Sequence, residues 1–114
     1  MAWCADALLT VSDPVFGSEL RELARLATEH RLPAMYARRE FVDVGGLLAY
    51  GPSYTANWRR AASYVDRILK GARPGDLPVE QPAKFELVIN LKTAAALGLT
   101  IPDSFLSFVD EMIQ

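Results

Sequence analysis

The stretch that decides the fold is residues 5–37, ADALLTVSDPVFGSELRELARLATEHRLPAMYA. Its first seven residues are a short apolar run that ends at a serine, an aspartate and a proline, as a buried strand before a turn does. The next segment, SELRELARLATEHR, places leucine and alanine at helical spacing, with Ser18 positioned to cap the first turn. LPAMYA, residues 32–37, predicts a second strand. A strand, a helix and a strand in this order predict a βαβ unit with parallel strands.

Two more predicted elements and a connection continue the chain. GLLAYG, residues 46–51, predicts a third strand bracketed by glycines. Residues 54–70 place their apolar side chains on one stripe of helical spacing, which predicts a long helix with Ser53 at its start and Gly71 as a left-handed stop. The proline-rich stretch ARPGDLPVEQP, residues 72–82, predicts an extended connection.

The last third of the chain predicts one strand and two helices. KFELVINL, residues 84–91, alternates, so Phe85, Leu87 and Ile89 are expected on one half-buried face. Asn90 is placed to cap the short helix LKTAAALG. A last helix is predicted to carry its apolar side chains at Phe105, Leu106, Val109, Met112 and Ile113.

Together these elements predict an α/β fold with a layered, Rossmann-like sheet, because parallel strands need helical crossovers. An antiparallel pairing of the second and third strands is an alternative, since their connection is short. The chain has 114 residues, of which 51% are hydrophobic and 23% charged, and this composition suits one folded domain over residues 1–114.

Charge and cysteine content argue against several classes of function. A net charge of -2 and a pI near 5.3 provide no basic surface, so we expect no nucleic-acid partner. A single cysteine, Cys4, forms no internal disulfide. No apolar run is long enough to cross a bilayer. The N-terminal MAWCADALLTV lacks a basic start and is interrupted by Asp6, so it is not expected to be an export signal.

The ends of the first three predicted strands carry the candidate ligand-binding residues. In an open parallel sheet, ligands bind just beyond the carboxyl ends of the strands. Each of these three segments offers an aromatic ring and at least one polar group, which suits a small solute with an apolar or flat body and a charged end. The candidate residues are Ser12, Asp13, Phe16, Tyr36, Glu40, Tyr50 and Gly51.

Structural roles compete with ligand binding at several of these positions. Asp13 precedes a proline and could serve only to shape a turn. Glu40 could form a solvated surface pair with Arg39. Gly45 and Gly46 could serve only to permit a sharp bend with positive φ.

The sequence lacks the motifs of the common catalytic classes. There is no GxSxG, no phosphate-binding P-loop, no GxGxxG after a strand and no cysteine–histidine cluster with metal spacing. The lone histidine, His30, leaves no ready Ser-His or Cys-His pair. We therefore expect a protein that is not an enzyme and that needs no cofactor or metal.

Two segments resemble a known family. REFVDVGGLLAYGPS (39–53) and RRAASYVDRILKGARPGDLPVEQPAKFELVINLKTAAALGLTIP (59–102) are similar to the C-terminal part of ABC-transporter substrate-binding proteins. These are periplasmic binding proteins, and the group includes tryptophan- and tyrosine-type binders. The likeness runs from about Ala5 to the end of the chain.

The resemblance implies a fold and a function. It implies a partial lobe with three α/β layers, of the type I periplasmic-binding-protein fold, whose full-length members trap a solute between two lobes and deliver it to an ABC permease. The implied solute is a small organic molecule such as an amino acid or an aromatic acid, and the implied location is the periplasm. Asp13, Glu40, Tyr50 and Gly51 would then face the cleft between the lobes.

The chain departs from that family pattern in length. It begins where a family member is already past its middle, which implies a truncated lobe that binds its solute weakly or not at all. Without an export signal the chain would stay in the cytoplasm, where an effector-binding or self-associating interaction module is the alternative function. A flavodoxin-like enzyme is disfavoured, because SDPVFGS places an acid where a phosphate needs backbone donors.

Truncation also predicts self-association. Sheet edges and helix faces that the missing part normally covers would be exposed. Pairing of these edges, or exchange of a terminal helix between two copies, would cover them again. We therefore expect a homodimer.

Overall fold

The computed structural model describes residues 4–114, which form two compact units, one of residues 4–51 and 86–114 and the other of Pro52–Phe85. The first three residues of MAWCADALLTV, on which the export-signal prediction partly rests, lie outside the described part. The elements are β1 (Leu8–Leu9), α1 (Pro14–Ser18), α2 (Leu20–Glu29), β2 (Ala34–Tyr36), α3 (Glu40–Asp43), β3 (Leu48–Pro52), α4 (Tyr54–Leu69), a 3-10 turn (Pro74–Asp76), β4 (Phe85–Asn90), α5 (Leu91–Ala96), α6 (Asp103–Leu106) and β5 (Glu111–Ile113).

The first three strands are parallel neighbours in a five-stranded sheet of order β1-β2-β3-β4-β5. Leu9 lies opposite Met35 in the pairing of β1 with β2, and Tyr36 lies opposite Ala49 in the pairing of β2 with β3. The βαβ prediction for residues 5–37 is confirmed, and the alternative antiparallel pairing of the second and third strands is wrong. Because the three strands run in one direction, their carboxyl ends lie at the same edge of the sheet.

The sheet is mixed rather than wholly parallel, because β4 runs opposite to β3. The N–H of Asn90 donates to the carbonyl of Leu47, and the N–H of Ser53 donates to the carbonyl of Lys84, each over 2.9 Å. Residue numbers therefore rise along one strand as they fall along the other, which is the antiparallel pattern. β5 is again parallel to β4. The predicted α/β class is confirmed.

The core lies where α2 and α3 cover the parallel strands. Its centre is the ring of Tyr36, which is fully buried and stacks on Phe41 with ring centroids 4.4 Å apart. Val42, from α3, and Ala27, from α2, belong to the same cluster. The small Ala49 opposite Tyr36 leaves room for the aromatic pair. The cluster holds the helices against the strands whose ends carry the candidate site.

The long helix is confirmed, with the ends that its sequence predicts. α4 begins after Ser53, whose hydroxyl oxygen accepts the N–H of Ala56 over 3.5 Å. It ends before Gly71, whose φ of +101° is the left-handed conformation that favours glycine. None of the side chains of α4 is buried.

The connection that follows α4 lies along that helix within the second unit. The hydroxyl of Tyr64 donates to the carbonyl of Pro78 over 2.6 Å. Arg60 forms an ion pair with Glu80. The prediction of an extended connection holds apart from the 3-10 turn at Pro74–Asp76.

The predicted last helix is wrong beyond its first turn. Only Asp103–Leu106 is helical, and Glu111–Ile113 forms β5. Asp110 fixes the change: its N–H donates to the carbonyl of Leu87 over 2.9 Å, and its carboxylate accepts the N–H of Leu87 over 2.8 Å. Met112 therefore lies in a strand, because pairing with β4 outweighs helical spacing.

Two smaller predictions also need correction. Ser18 does not cap α2: its hydroxyl donates to the carbonyl of Val15 over 2.7 Å and it ends α1 instead. The predicted alternation of buried and exposed side chains in β4 is wrong. Val88 and Ile89 are both 1% exposed, so both faces of the strand are covered there. The cap at Asn90 is confirmed by a 3.0 Å hydrogen bond from the N–H of Thr93.

Candidate functional site

The carboxyl ends of β1, β2 and β3 form a carboxyl edge made of residues 12–17, 37–40 and 50–51. Arg38 joins the first two segments. Its Nη1 lies 3.0 Å from the position that a Cβ on Gly17 would occupy, and its Nη2 lies 3.1 Å from Oε1 of Glu40. A second hydrogen bond, from Nε to Oε2 over 3.3 Å, makes the contact with Glu40 bidentate. The edge therefore holds a fixed pair of opposite charges.

Gly51 brings the third segment against the second. A Cβ at this position would lie 2.1 Å from the carbonyl oxygen of Ala37 and 3.0 Å from its carbonyl carbon. Only a residue without a side chain fits such a close approach of two backbones. Gly51, which the sequence predicts as a site residue, thus shapes the edge through its backbone.

The charge on Glu40 is stabilised by its surroundings. Partial burial works to raise the pKa of Glu40, but hydrogen bonds from Arg38 and from the backbone, with the charges of Arg38 and Arg39, hold that pKa below its ordinary value of 4.5. The stability that the ion pair contributes is therefore present above the ordinary value and is lost as the pH falls through the lowered one. At neutral pH the edge presents a carboxylate beside a guanidinium.

The segment after β1 is the most exposed part of the edge. Ser12, Asp13 and Phe16 are exposed, and Phe16 leaves 36% of its surface open to solvent. One carboxylate oxygen of Asp13 accepts the N–H of Val15 over 2.8 Å, so this residue does shape a turn, as the cap of α1. Phe16 directly precedes Gly17, the residue that Nη1 of Arg38 approaches.

Tyr36 is placed away from the edge surface. Its ring is fully buried in the core, and burial raises the pKa of its hydroxyl. No residue among 4–114 forms a hydrogen bond with that hydroxyl. Its predicted role in ligand contact is therefore not supported by its position, because its ring packs on Phe41 instead.

We predict that Tyr36→Phe keeps the stability of the protein or raises it by up to about 1 kcal/mol, because it removes a buried hydroxyl that has no partner. Tyr36→Ala, which leaves a cavity, is expected to cost about 3–5 kcal/mol. Urea unfolding followed by circular dichroism measures both. A loss of stability in Tyr36→Phe would show that the hydroxyl does bind a partner.

Tyr50 lies inside β3 rather than after it, since the strand extends to Pro52. Successive side chains of a strand point to opposite faces, and the neighbouring Ala49 is in the core, so Tyr50 is on the other face of the sheet. It is 49% exposed. The structure therefore brings the backbone of Gly51 to the edge and leaves the ring of Tyr50 half-open on the opposite face from Tyr36.

Arg39 does not form the surface pair with Glu40 that the sequence suggests as an alternative. Its guanidinium forms two hydrogen bonds with Glu111 of β5, over 3.0 and 3.1 Å, and an ion pair with Asp43 at 3.6 Å. Arg38 takes the place beside Glu40 and is absent from the seven candidate residues predicted from the sequence. Because Tyr36 pairs with Ala49, Arg38 lies level with Gly51, and this register between two strands is not contained in the sequence around Arg38.

The two glycines at 45 and 46 have different roles. Gly45 has a φ of +105°, so the predicted bend is confirmed there. Gly46 is required for space, since a Cβ would lie 2.7 Å from the carbonyl oxygen of Phe41 and 2.8 Å from the ring of Tyr36. Both contribute to the turn that returns the chain from α3 to β3.

A separate groove of about 920 Å³ lies in the second unit, between α4 and residues 77–84. Two polar contacts cross it: Arg60 with Glu80, and the hydroxyl of Tyr64 with the carbonyl of Pro78. Ligands of open α/β sheets bind beyond the carboxyl ends of the parallel strands, and this groove lies elsewhere, so the carboxyl edge is the candidate site.

Two absences hold for the described residues alone. Across residues 4–114, no three histidine, cysteine, aspartate or glutamate side chains come together where they could hold a metal ion. Within the same residues, no helix has the length and apolar character needed to span a membrane.

The parallel strands of this α/β sheet end at an edge that carries one pair of opposite charges and the partly exposed ring of Phe16. The chain belongs to the family of ABC transporter substrate binding proteins, since the sequence profile of that family matches residues 1–113. This is a family of binding proteins and not a class of enzymes. The family resemblance read from the sequence is confirmed.

Known proteins show the same relationship. A tyrosine-binding protein from Clostridioides difficile is 27% identical over 94 residues, which are 82% of this chain and 27% of that protein. A conserved domain protein from Vibrio cholerae O1 biovar El Tor has a TM-score of 0.87, and an ABC domain in complex with L-Trp from Streptococcus pneumonia has one of 0.85. Both structures are 29% identical over 95% of this chain, which spans 36% and 38% of their lengths.

A third structure supports the fold alone. The ligand-free, open form of a substrate binding protein with adhesive properties from Clostridium difficile has a TM-score of 0.66 and 22% identity. This chain again covers only 36% of that protein. The prediction of a partial lobe of a periplasmic-binding-protein fold is confirmed by these matches.

Proposed function

We propose that this chain is the solute-binding lobe of an ABC import system and that its solute is an aromatic amino acid held at the carboxyl edge. The observation that carries the proposal is the meeting, at one edge of the sheet, of the segments after β1 and β2 and of the end of β3. The guanidinium of Arg38 lies against Gly17 and pairs with Glu40, and the backbone of Gly51 lies against Ala37. The convergence follows from three parallel strands in one sheet.

The chemistry of the edge fits an amino acid. An α-carboxylate is recognised best by the planar fork of a guanidinium, which Arg38 supplies. An α-ammonium needs a carboxylate, and the lowered pKa of Glu40 keeps that group charged. Phe16, partly open to solvent, offers a surface for an aromatic side chain. Ser12 and Asp13 add polar groups on the same segment.

Two relatives support an aromatic solute. The name of one is tyrosine-binding protein, and the structure of the other contains L-Trp. The first aligns with 82% of this chain and the second with 95%. At identities of 27% and 29%, these relatives support the class of solute, an aromatic amino acid, and do not select one member of that class.

We propose that the cleft is completed by a second lobe, which supplies the other wall. The relatives are longer, since this chain spans 27–38% of their lengths. Closure of two lobes around a solute gives tight binding, so this lobe alone is proposed to bind weakly. The family is normally periplasmic or extracellular, and a membrane permease in that location is the proposed partner.

Saturation-transfer difference NMR, which detects weak binding on the protons of the ligand, tests this function. L-tryptophan and L-tyrosine are expected to give saturation transfer with this chain, strongest at their ring protons. L-alanine carries the same charges without a ring and is expected to give little. No transfer to any amino acid, or equal transfer to all three, would contradict the proposal.

A further inference from the structure

One face of α4 is apolar and open to solvent. Its five side chains, called the α4 stripe below, recur every three or four residues and so share one face of the helix. Three of them leave most of their surface exposed: Trp58 71%, Val65 55% and Leu69 82%. A continuous apolar surface of this kind marks an interaction site. The stripe consists of Tyr54, Trp58, Ala62, Val65 and Leu69.

The connection after α4 does not cover the stripe. That connection contacts the helix at Arg60 and Tyr64, through Glu80 and Pro78. At about 100° of rotation per residue, both positions lie roughly a third of a turn or more from the centre of the stripe. The groove between α4 and residues 77–84 is therefore on a different face of the helix.

We propose that the α4 stripe binds the same stripe of a second copy of this chain, with the two helices antiparallel about a twofold axis. The spacing of the stripe is self-complementary in that arrangement. With Ala62 facing its own counterpart, Trp58 lies opposite Val65 of the second copy, and Tyr54 lies opposite Leu69. The small side chain at the centre allows the helices to approach closely, and the large ones lie on either side of it.

Charges beside the stripe favour a second copy in this orientation. Arg59 and Asp66 lie on the same flank of α4, two turns apart along the helix. In the antiparallel dimer that flank faces itself, so Arg59 of each copy lies level with Asp66 of the other. A parallel dimer would instead place this flank against the opposite flank of the partner helix, which carries Ala61 and Ile68, so that neither charge would find an opposite charge.

The two charges are available for this pairing. Within the described residues no acidic side chain forms an ion pair with Arg59. Asp66 forms an ion pair with Lys70 at 2.9 Å, and 58% of the aspartate side chain is exposed to solvent. An exposed pair of this kind is weak and leaves a second carboxylate oxygen for a further cation. The antiparallel dimer would form two such reciprocal contacts.

Sedimentation equilibrium of this chain tests the dimer. The expected result is a species of twice the 12.6 kDa monomer mass that dissociates on dilution. Trp58→Glu is expected to raise the dissociation constant by about 30-fold or more, as loss of a buried tryptophan at an interface does. The matched control is Val79→Glu, since Val79 is fully exposed outside the stripe and is expected to leave dissociation unchanged.

A charge exchange tests the orientation. Arg59→Asp and Asp66→Arg are each expected to weaken the dimer by placing like charges opposite each other twice. The double variant, with both substitutions in one chain, is expected to recover it, and an equimolar mixture of the two single variants is expected to form heterodimers. Circular dichroism shows which variants are folded. The mixing experiment requires only the two single variants to be folded, so it does not depend on the double variant.

Several results would overturn the inference. A wild-type chain that stays monomeric at the highest soluble concentration excludes the dimer. A dimer that survives Trp58→Glu uses another surface, such as the exposed edge at β1, and excludes the α4 stripe. If the folded double variant and the mixture both stay monomeric, the antiparallel pairing is wrong. Solute binding is measured separately, so these results leave the proposed function untouched.

Discussion

Gly51→Ala is expected to lower the free energy of unfolding by about 3 kcal/mol, at the upper end of overpacking effects. The added Cβ would lie 2.1 Å from the carbonyl oxygen of Ala37, and that oxygen belongs to backbone rather than to a flexible side chain. Relief requires β3 to move away from the chain that follows β2, where the two strands are paired. Urea unfolding followed by circular dichroism measures the loss.

Gly75→Ala is the matched control for this substitution. Nothing lies within 4 Å of a Cβ at Gly75, and its φ is not in the left-handed region. Its expected effect is below about 1 kcal/mol and towards greater stability, because alanine restricts the unfolded chain. Equal stabilities of the two variants would contradict the close approach of Gly51 to Ala37.

Arg38→Gln is expected to weaken binding of L-tryptophan by about tenfold or more, which is the cost of losing a hydrogen bond between charged groups. Two effects combine in that loss. The α-carboxylate of the solute loses its cation, and Glu40 loses the partner that helps to hold its pKa below the ordinary value. A titration followed by the ring signals of the ligand measures the dissociation constant.

Arg39→Gln removes the same charge one residue further along the chain. Its guanidinium binds Glu111 and Asp43, so its loss is expected to change affinity less than threefold, in keeping with a screened surface charge. If both variants lose affinity equally, only the overall charge of the edge matters. If neither does, Arg38 does not contact the solute.

Local capping signals predicted the bounds of α4 well. The start of α4 at Ser53 and its stop at Gly71 depend on neighbouring residues, so the sequence contains the whole signal. The βαβ unit of residues 5–37 was predictable for a related reason, since parallel neighbours need a crossover of helical length and the helical segment between the two strands supplies one. These elements place the three strand ends at one edge.

Long-range contacts explain what the sequence did not predict. The segment from Glu111 is a strand because it pairs with β4, although its spacing is helical. The reversal of β4 against β3 likewise depends on partners distant in the chain. Without the terminal helix, exchange of that helix between two copies is no longer a route to the expected homodimer.

The candidate site was likewise predictable only where it depends on local sequence. The strand-end rule predicted which segments meet at one edge of the sheet, because it needs only strand direction. It could not separate Tyr36, turned into the core, from Arg38, two residues later, because side-chain direction depends on where the strand ends. The sequence around Glu40 does not show that Arg38 rather than Arg39 pairs with it. Arg39 binds Glu111 instead, which is distant in the chain.

The most direct measurement of solute binding at the carboxyl edge is a map of backbone amide shifts, recorded as L-tryptophan is titrated into the isotope-labelled chain. Shifts concentrated in residues 12–17, 37–40 and 50–51 are expected, and they should be absent in Arg38→Gln. Shifts confined to the groove between α4 and residues 77–84, or no shifts at saturating ligand, would contradict the assignment of the solute site to this edge.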